Sequence, residues 1–394
     1  MAAVVLRYWS AIVAPLNGYM EELATEEARH VIYGLLLRFI GLGYIVCFAA
    51  FIPQVLPIAG SRGYNPLAPQ LKKLKKIYRS KAYWWFPSLF WLNASDFMLK
   101  FLPILGCLGG LGIIIGGPWT PWLFLMCWLI TLSMDMAVDM IYPWDSFLLE
   151  FGFLCIWAPG LNMLPRATVR AMPTPLLSFA FRYVLFRLML GFGKLKFTGT
   201  NQEDRLYIKH FFVYQPMASI IGWFANKLPN AFHVASLYIM FFVEVPLPFF
   251  VFFCGLPRLI AAFGFWGLQF GIQLGGNFGY FNLLYALAST VLLDHSASVW
   301  DISWATTFGG DWSDALFTLI YVYICAVSLL YFAFNSWCNL AWMYWPTLDK
   351  SPKFFQGLLT VIRLMQPLRL VQSYGVFPPN SAPGIRYVYA CGCT

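Results

Sequence analysis

The sequence predicts an all-α polytopic membrane protein, a transmembrane helical bundle of roughly eight spans with some short or broken helices. Of its 394 residues, 60% are hydrophobic, 19% aromatic and only 11% charged. Soluble domains average about 45–50% apolar and about 25% charged residues, so much of this apolar surface is expected to face lipid. Backbone groups in lipid must hydrogen-bond within the protein, which favours helices.

The spans are predicted from the charge-poor runs of the chain. Two runs, 259–293 and 315–348, contain no charged residue, and as helices rising 1.5 Å per residue they would exceed a hydrocarbon core of about 30 Å. We expect Gly275, Gly276 and Asn277 to break the first of them near mid-membrane. The remaining predicted spans cover about 31–58, 98–117, 119–142, 145–163, 175–195 and 232–255.

The polar residues divide the chain into three parts. Residues 1–30 form an N-terminal polar segment that is predicted to be amphipathic and includes the acidic stretch GYMEELATEEARH. Residues 31–348 form the helical bundle, and residues 349–394 are expected to be a polar C-terminal tail.

The densest run of charge is a basic segment, QLKKLKKIYRSK. Positive residues near span ends stay on the side of the membrane where the protein is synthesised, and they attract anionic lipid head groups. The segment is therefore interpreted either as an orientation signal or as a surface for docking a protein. Its charged residues are Lys72, Lys73, Lys75, Lys76, Arg79 and Lys81.

Acidic residues also lie inside an apolar run. The stretch YPWDSFLLEFGFLCIWAP contains Asp145 and Glu150, and a later apolar stretch contains Arg182 and Arg187. A charge at the centre of a membrane helix costs about 2.5–3.5 kcal/mol on insertion scales, and a partner offsets part of that cost. We expect an acid of the first stretch to pair with an arginine of the second. Such pairs could fix helix register, form a proton or ion path, or line a polar binding cleft.

Motifs of soluble enzymes are absent from the sequence, which has no phosphate loop, GxSxG elbow or HExxH motif. The four histidines lack ligand spacing, and Cys391 with Cys393 would supply only two metal ligands. The net charge of +9 is not arranged as a nucleic-acid face. We therefore predict no catalytic residues, no cofactor, no metal and no nucleic-acid partner.

Several motifs carry a family resemblance. Four stretches resemble motifs of the lipase maturation factor family and occur in the family's order. They are LRFIGLGYIVCFAAFIPQVLPIAGSRGYNP at 37–66, WDSFLLEFGFL at 144–154, FRYVLFRLMLGFGKLK at 181–196 and QPLRLVQSYGVF at 366–377. The chain resembles that family over about residues 31–377. The resemblance implies a non-enzymatic protein of the endoplasmic reticulum membrane that helps secreted lipases to fold and assemble.

Two departures from the family pattern affect that implication. Val213 stands where the family has an acidic residue before the QPM triplet. The family also continues into a large polar C-terminal domain linked to client handling in the lumen, whereas this sequence ends at Thr394. The chain is therefore expected to represent the membrane body, either as a fragment or as all that was retained.

Two other functions stay open at this point. The chain could be a structural accessory subunit of a larger respiratory or photosynthetic complex, in the mitochondrial inner membrane or the thylakoid membrane. It could also be a membrane enzyme or transporter that uses the buried charges. The membrane body of the family distantly resembles the helical part of vitamin K-dependent carboxylases, which implies a quinone, but no motif here specifies that chemistry. Expected partners are membrane lipids and either protein clients or partner subunits.

Overall fold

The computed structural model describes residues 25–138, 143–198, 206–214, 219–276, 278–294 and 366–370, and isolated positions 22, 316, 319, 322, 326 and 374. Within these residues the chain forms helices and no strand, and two isolated antiparallel bridges join Leu161 to Gly117 and to Val169. The predicted all-α fold class is confirmed.

Most of the described helices follow one another with short connections, and a longer loop at 157–174 separates α6 from α7. The 3-10 turns are Arg79–Lys81, Leu89–Trp91, Leu247–Phe252, Ser289–Leu293 and Gln366–Leu368. The α-helices are α1 (Glu26–Ala59), α2 (Leu67–Tyr78), α3 (Ala82–Trp85), α4 (Asp96–Ile115), α5 (Thr120–Val138), α6 (Pro143–Ile156), α7 (Pro175–Thr198), α8 (Tyr207–Tyr214), α9 (Ile220–Asn226), α10 (Asn230–Glu244), α11 (Leu256–Gly275) and α12 (Phe281–Ala288).

Five helical segments of the described residues are long and apolar enough to cross a membrane. They are α1, α4, α5, the Pro175–Gly193 part of α7, and Asn230–Phe252, in which α10 continues into a 3-10 turn. The predicted span at 145–163 is instead the 14-residue helix α6, and the predicted span at 315–348 lies almost wholly outside the described residues. The protein is a polytopic membrane bundle that also contains short helices.

The first span begins earlier than the sequence pattern suggested. Thr25 caps α1, its hydroxyl oxygen accepting a hydrogen bond from the backbone N–H of Ala28 at 3.3 Å. Glu26 and Glu27 occupy the first turn, where carboxylates complement the helix dipole. The acidic end of the predicted N-terminal segment is therefore continuous with the first membrane helix.

Helices α1 and α4 pack closely because α4 carries glycines on the facing side. A Cβ atom added at Gly106 would lie 2.4 Å from the ring of Phe48, and one at Gly110 would lie 2.7 Å from Ile45. Small residues at such positions let membrane helices approach each other closely. Within this pair, the buried Arg38 of α1 donates to the carbonyl of Ile114 on α4.

The break predicted in the run 259–293 falls where α11 ends. Gly275 is the last residue of α11, and Gly276 is extended with φ −157° and ψ 166°. The chain resumes as α12 at Phe281, whose buried face continues the core. Asn277, the third residue of the predicted break, lies outside the described residues.

Candidate functional site: charged side chains buried in the bundle

The central feature is an ion pair between α6 and α7. Nη2 of Arg187 donates to Oε1 of Glu150, and both side chains are buried. The guanidinium carbon of Arg187 lies 4.9 Å from the ring centre of Tyr183 and 5.7 Å from that of Tyr374. Arg187 is therefore neutralised by a carboxylate and held between two aromatic rings, an arrangement that lowers the cost of burying it.

Tyr374 completes this arrangement from a distant part of the chain. Its hydroxyl donates a hydrogen bond to Oε2 of Glu150 at 2.5 Å, so the two carboxylate oxygens have different partners. Gly191 provides the space for the approach, because a Cβ there would lie 2.4 Å from the carbonyl oxygen of Tyr374. The backbone at Tyr374 thus lies directly against α7.

A second contact ties the same C-terminal segment to α5. Nε of Arg369 donates to Oδ2 of Asp135 at 2.7 Å, and the Asp135 side chain is buried. Pro367 and Leu370, on either side, are buried too. The residues expected to form a polar tail therefore include a strap, Gln366–Leu370 with Tyr374, that lies against the bundle.

The other two candidate charges have different neighbours. Oδ1 of Asp145 accepts a hydrogen bond from the hydroxyl of Tyr280 at 3.3 Å, and Nε of Arg182 donates to the carbonyl of Ser178 at 3.0 Å. Asp145 and Glu150 are five positions apart, which places them about 140° apart around a helix. The same holds for Arg182 and Arg187. Each helix therefore presents one of its two candidate charges to this contact.

A further ion pair joins the end of α7 to α10. Nζ of Lys196 donates to Oε1 of Glu244, whose side chain is almost completely buried. Gly193 allows the two helices to meet, because a Cβ at that position would lie 2.8 Å from both Cβ and the carbonyl oxygen of Glu244. Among the residues that the structure describes, Oε2 of Glu244 has no hydrogen-bond partner.

A second buried cluster surrounds Asp294, near the beginning of α1. Its carboxylate accepts a hydrogen bond from the Tyr33 hydroxyl at 2.8 Å and from Nε of Arg29 at 3.0 Å. The Tyr33 hydroxyl also lies 2.6 Å from Oγ of Ser178, and Nη1 of Arg258 donates to the carbonyl oxygen of Asp294. This cluster joins α1, α7 and α11 through polar groups.

Arg38 is a buried cation held by backbone carbonyls. Its guanidinium donates to the carbonyls of Ile114 at 3.0 Å, Gly34 at 3.1 Å, Asn162 at 2.7 Å and Arg166 at 3.2 Å. The carbonyl of Ile114 belongs to the last turn of α4, where the helix dipole favours a positive charge. One side chain thereby ties α1, α4 and the loop after α6 together.

The basic segment lies on the surface and apart from these clusters. In α2 the side chains of Leu67 and Leu71 are buried, whereas the lysines are exposed, as are Arg79 and Lys81 in the following turn. The backbone of Arg79, directly after α2, has a positive φ of 52°, which is uncommon for a residue other than glycine. The segment is thus an amphipathic helix lying on the protein body.

Chemically, the buried groups are suited to holding helices together. Each of Glu150, Asp135 and Asp294 accepts at least one charge-assisted hydrogen bond from an arginine on another segment. In the described parts of the chain, no three His, Cys, Asp or Glu side chains are close enough to hold a metal ion. Cys391 and Cys393 lie outside those parts.

Sequence reasoning did not identify several participants in these contacts. Tyr374 and Arg369 lie in the QPLRLVQSYGVF motif, but only the family resemblance drew attention to it. Tyr280 and Tyr33 carry no signal, because a tyrosine in an apolar run is ordinary. The one available signal was an excess of buried acids that needed donors.

Together, the fold and these contacts define a class of protein: an integral membrane bundle whose helices are cross-linked by buried charge pairs. Comparison with known proteins gives the family. The model of the lipase maturation factor transmembrane domain matches residues 31–300, more than half of the chain. The chain therefore belongs to the lipase maturation factor family.

Individual relatives are similar at moderate identity. Lipase maturation factor 2 of Rattus norvegicus is 30% identical over an alignment of 280 residues that covers 66% of this chain and 40% of that protein. Lipase maturation factor 1 of Mus musculus is 26% identical over an alignment of 273 residues that covers 67% of this chain and 48% of that protein. The chain thus spans less than half the length of these relatives. No solved structure matches the chain.

Proposed function

We propose that this chain is a non-enzymatic protein of the endoplasmic reticulum membrane that assists the folding or assembly of partner proteins, with secreted lipases as the first client class to test. The proposal rests on membership of a family whose named relatives are maturation factors for lipases. Because the chain spans less than half of those relatives, the assisting role is proposed for the membrane body itself.

The paired state of the buried charges supports this proposal over chemistry performed in the bundle. Glu150 accepts hydrogen bonds from Arg187 and Tyr374 on its two oxygens, and Asp294 accepts from Arg29 and Tyr33. Carboxylates held in this way stabilise a fixed arrangement of helices, since removal of either partner leaves a buried charge. We propose that the pairs Glu150–Arg187 and Asp135–Arg369 set the register of a rigid bundle that presents its surface to other proteins.

The test is a pulse-chase capture in cells that lack their own lipase maturation factors. The tagged chain and a secreted lipase are expressed together, newly made protein is labelled, and membrane complexes are cross-linked at intervals. We expect the lipase to associate with the chain early and to leave during the chase, with more active lipase secreted than in cells without the chain. A Glu150→Leu variant tests whether the assisting role needs the intact Glu150–Arg187 pair. Gly267→Ala serves as its control, because a Cβ at Gly267 meets nothing within 4 Å.

Two outcomes would contradict the proposal. Stable co-migration with one large complex throughout the chase, with no effect on the lipase, would indicate a structural subunit of an organellar complex. Turnover of a small molecule by the purified chain would indicate an enzyme or transporter.

A further inference from the structure

The exposed face of α2 carries a compact set of positive charges. Lys72, Lys75 and Lys76 follow an i, i+3, i+4 spacing, which places them on one face of the helix. All three are exposed, while Leu67 and Leu71 of the same helix are buried against the body of the protein. Residues 60–95 contain seven basic residues and no Asp or Glu. The surface therefore carries charge of one sign.

An apolar cleft lies beside this helix. Its volume is about 360 Å³, which is within the range of clefts that bind small molecules. Residues from the segment 83–92 form one wall of the cleft, and Leu129 and Leu132 of α5 form the other. Leu129 and Leu92 are exposed, so the cleft opens on the outside of the bundle.

Aromatic contacts connect the charges to the cleft. Nζ of Lys75 lies 5.7 Å from the ring centre of Tyr83, and the Tyr83 ring packs edge-on against Trp91 at 4.9 Å between ring centres. Nε1 of Trp91 donates to the carbonyl of Phe86 at 2.7 Å, which fixes the indole in place. Tyr83 and Trp91 both line the cleft, so the Lys75 ammonium lies at its entrance.

The position in the fold matches the boundary between lipid and water. Helix α2 lies in the connection between α1 and α4, two of the membrane-spanning helices. Tyr78 and Trp84 are exposed beside the lysines, and tyrosine and tryptophan are enriched at the level of lipid head groups. A ligand here would meet positive charge at one end and an apolar cleft along α5 at the other.

We propose that this surface is a binding site for one anionic phospholipid. The phosphate and acidic head group contact Lys72, Lys75 and Lys76, and an acyl chain lies in the cleft between Trp91 and Leu129. Charge complementarity selects the head group, and the apolar walls select a lipid over a soluble anion. This site is separate from the buried pairs and does not depend on the proposed role in assembly.

The test uses the full chain purified in a neutral detergent. It is titrated with phosphatidylglycerol or with phosphatidylcholine of the same acyl chains, and native mass spectrometry counts the lipids retained. We expect one phosphatidylglycerol to be retained in preference to phosphatidylcholine. The variant Lys72→Gln/Lys75→Gln/Lys76→Gln should bind it about 100-fold more weakly, given the usual attraction per lysine near anionic lipid.

Two further variants separate the two parts of the site. Leu129→Trp fills the cleft and should weaken retention about fourfold for each methylene of the acyl chain that it excludes. Lys72→Arg/Lys75→Arg/Lys76→Arg retains the charge and should retain the lipid. The matched control, Lys100→Gln/Arg170→Gln/Lys227→Gln, removes three exposed charges outside residues 60–95 and should leave retention unchanged.

Several results would overturn the proposal. Equal retention of the two lipids by the native chain would show that the surface does not select an anionic lipid. An equal loss in the matched control would show a diffuse effect of net charge. Loss of an acidic protein from the purified chain in the glutamine variant, with lipid retention unchanged, would assign the surface to a protein partner. The thermal unfolding temperature of each variant should equal that of the native chain. If the glutamine variant unfolds, Leu129→Trp tests the site instead.

Discussion

Tyr374 donates a hydrogen bond to Oε2 of Glu150 at 2.5 Å, although 224 positions separate the two residues in the sequence. The same carboxylate accepts Nη2 of Arg187 on its other oxygen. A segment that follows the last predicted span is therefore bound to a charge pair within the bundle. A substitution in the strap should therefore affect the Glu150–Arg187 pair, and a substitution in the pair should affect the strap.

Replacement of Tyr374 by phenylalanine removes only the hydroxyl and so measures the contribution of its hydrogen bond to stability. The ring next to Arg187 is retained, but the buried Oε2 of Glu150 loses a donor. We expect the free energy of unfolding to fall by about 1.5–3 kcal/mol, the usual contribution of a hydrogen bond to a charged group. Equilibrium unfolding in mixed detergent measures it. Tyr64→Phe is the control, since Tyr64 is 95% exposed; an equal loss in both variants would argue against the contact.

Removal of one member of the pair should cost more than removal of both. Glu150→Leu leaves the Arg187 guanidinium buried without its carboxylate, and we expect a loss of about 3–5 kcal/mol. The double variant Glu150→Leu/Arg187→Met removes both charges and should recover part of that loss. A double-mutant cycle on the free energy of unfolding measures the coupling. Additive losses would mean that the two side chains do not interact.

Gly191 should be needed for the strap to approach α7. A Cβ at this position would lie 2.4 Å from the carbonyl oxygen of Tyr374, so Gly191→Ala should push the backbone away and destabilise the protein by about 1–3 kcal/mol. Hydrogen exchange in the peptide that covers 366–374 should become faster. In Gly267→Ala, which has open space around the new Cβ, exchange should stay unchanged and helix propensity should stabilise the protein by up to about 1 kcal/mol.

Arg38 should be irreplaceable by lysine. Its planar fork reaches carbonyls on α1, α4 and the loop after α6, whereas an ammonium is a single point with three donors. We expect Arg38→Lys to leave at least one buried carbonyl unpaired and to cost about 1–3 kcal/mol. Faster hydrogen exchange in the 160–170 loop is the second readout. The exposed Arg170→Lys should change neither quantity, and an unaffected Arg38→Lys would show that charge alone suffices.

The sequence predicted much of the architecture because lipid imposes strong rules on composition. Charge-poor runs located α1, α4, α5, α7 and α10. The same reasoning overestimated the span at 145–163, where the helix is α6 of 14 residues. Hydropathy does not register the difference between a lipid-facing and a protein-facing apolar residue.

For the charge pairs, the sequence pattern predicted which helices meet but not which side chains pair. Segregation of acids and bases onto two apolar runs indicated that α6 and α7 should meet, and the structure brings Glu150 and Arg187 together. The pattern did not indicate that Asp145 has Tyr280 as its neighbour. Rotation of each helix about its axis selects among the four possible pairs, and that rotation depends on the packing of side chains such as Phe147 and Phe151.

By itself, the sequence determined the membrane class, the all-helical fold and the family, because these depend on composition, on the lack of water in lipid and on ordered motifs. Tertiary structure decided which side chains neutralise the buried acids. Tyr374 and Arg369 reach Glu150 and Asp135 across more than 200 positions of chain. Contacts of that separation leave no periodic trace in the sequence, because they arise only when the packed helices bring distant segments to the same place.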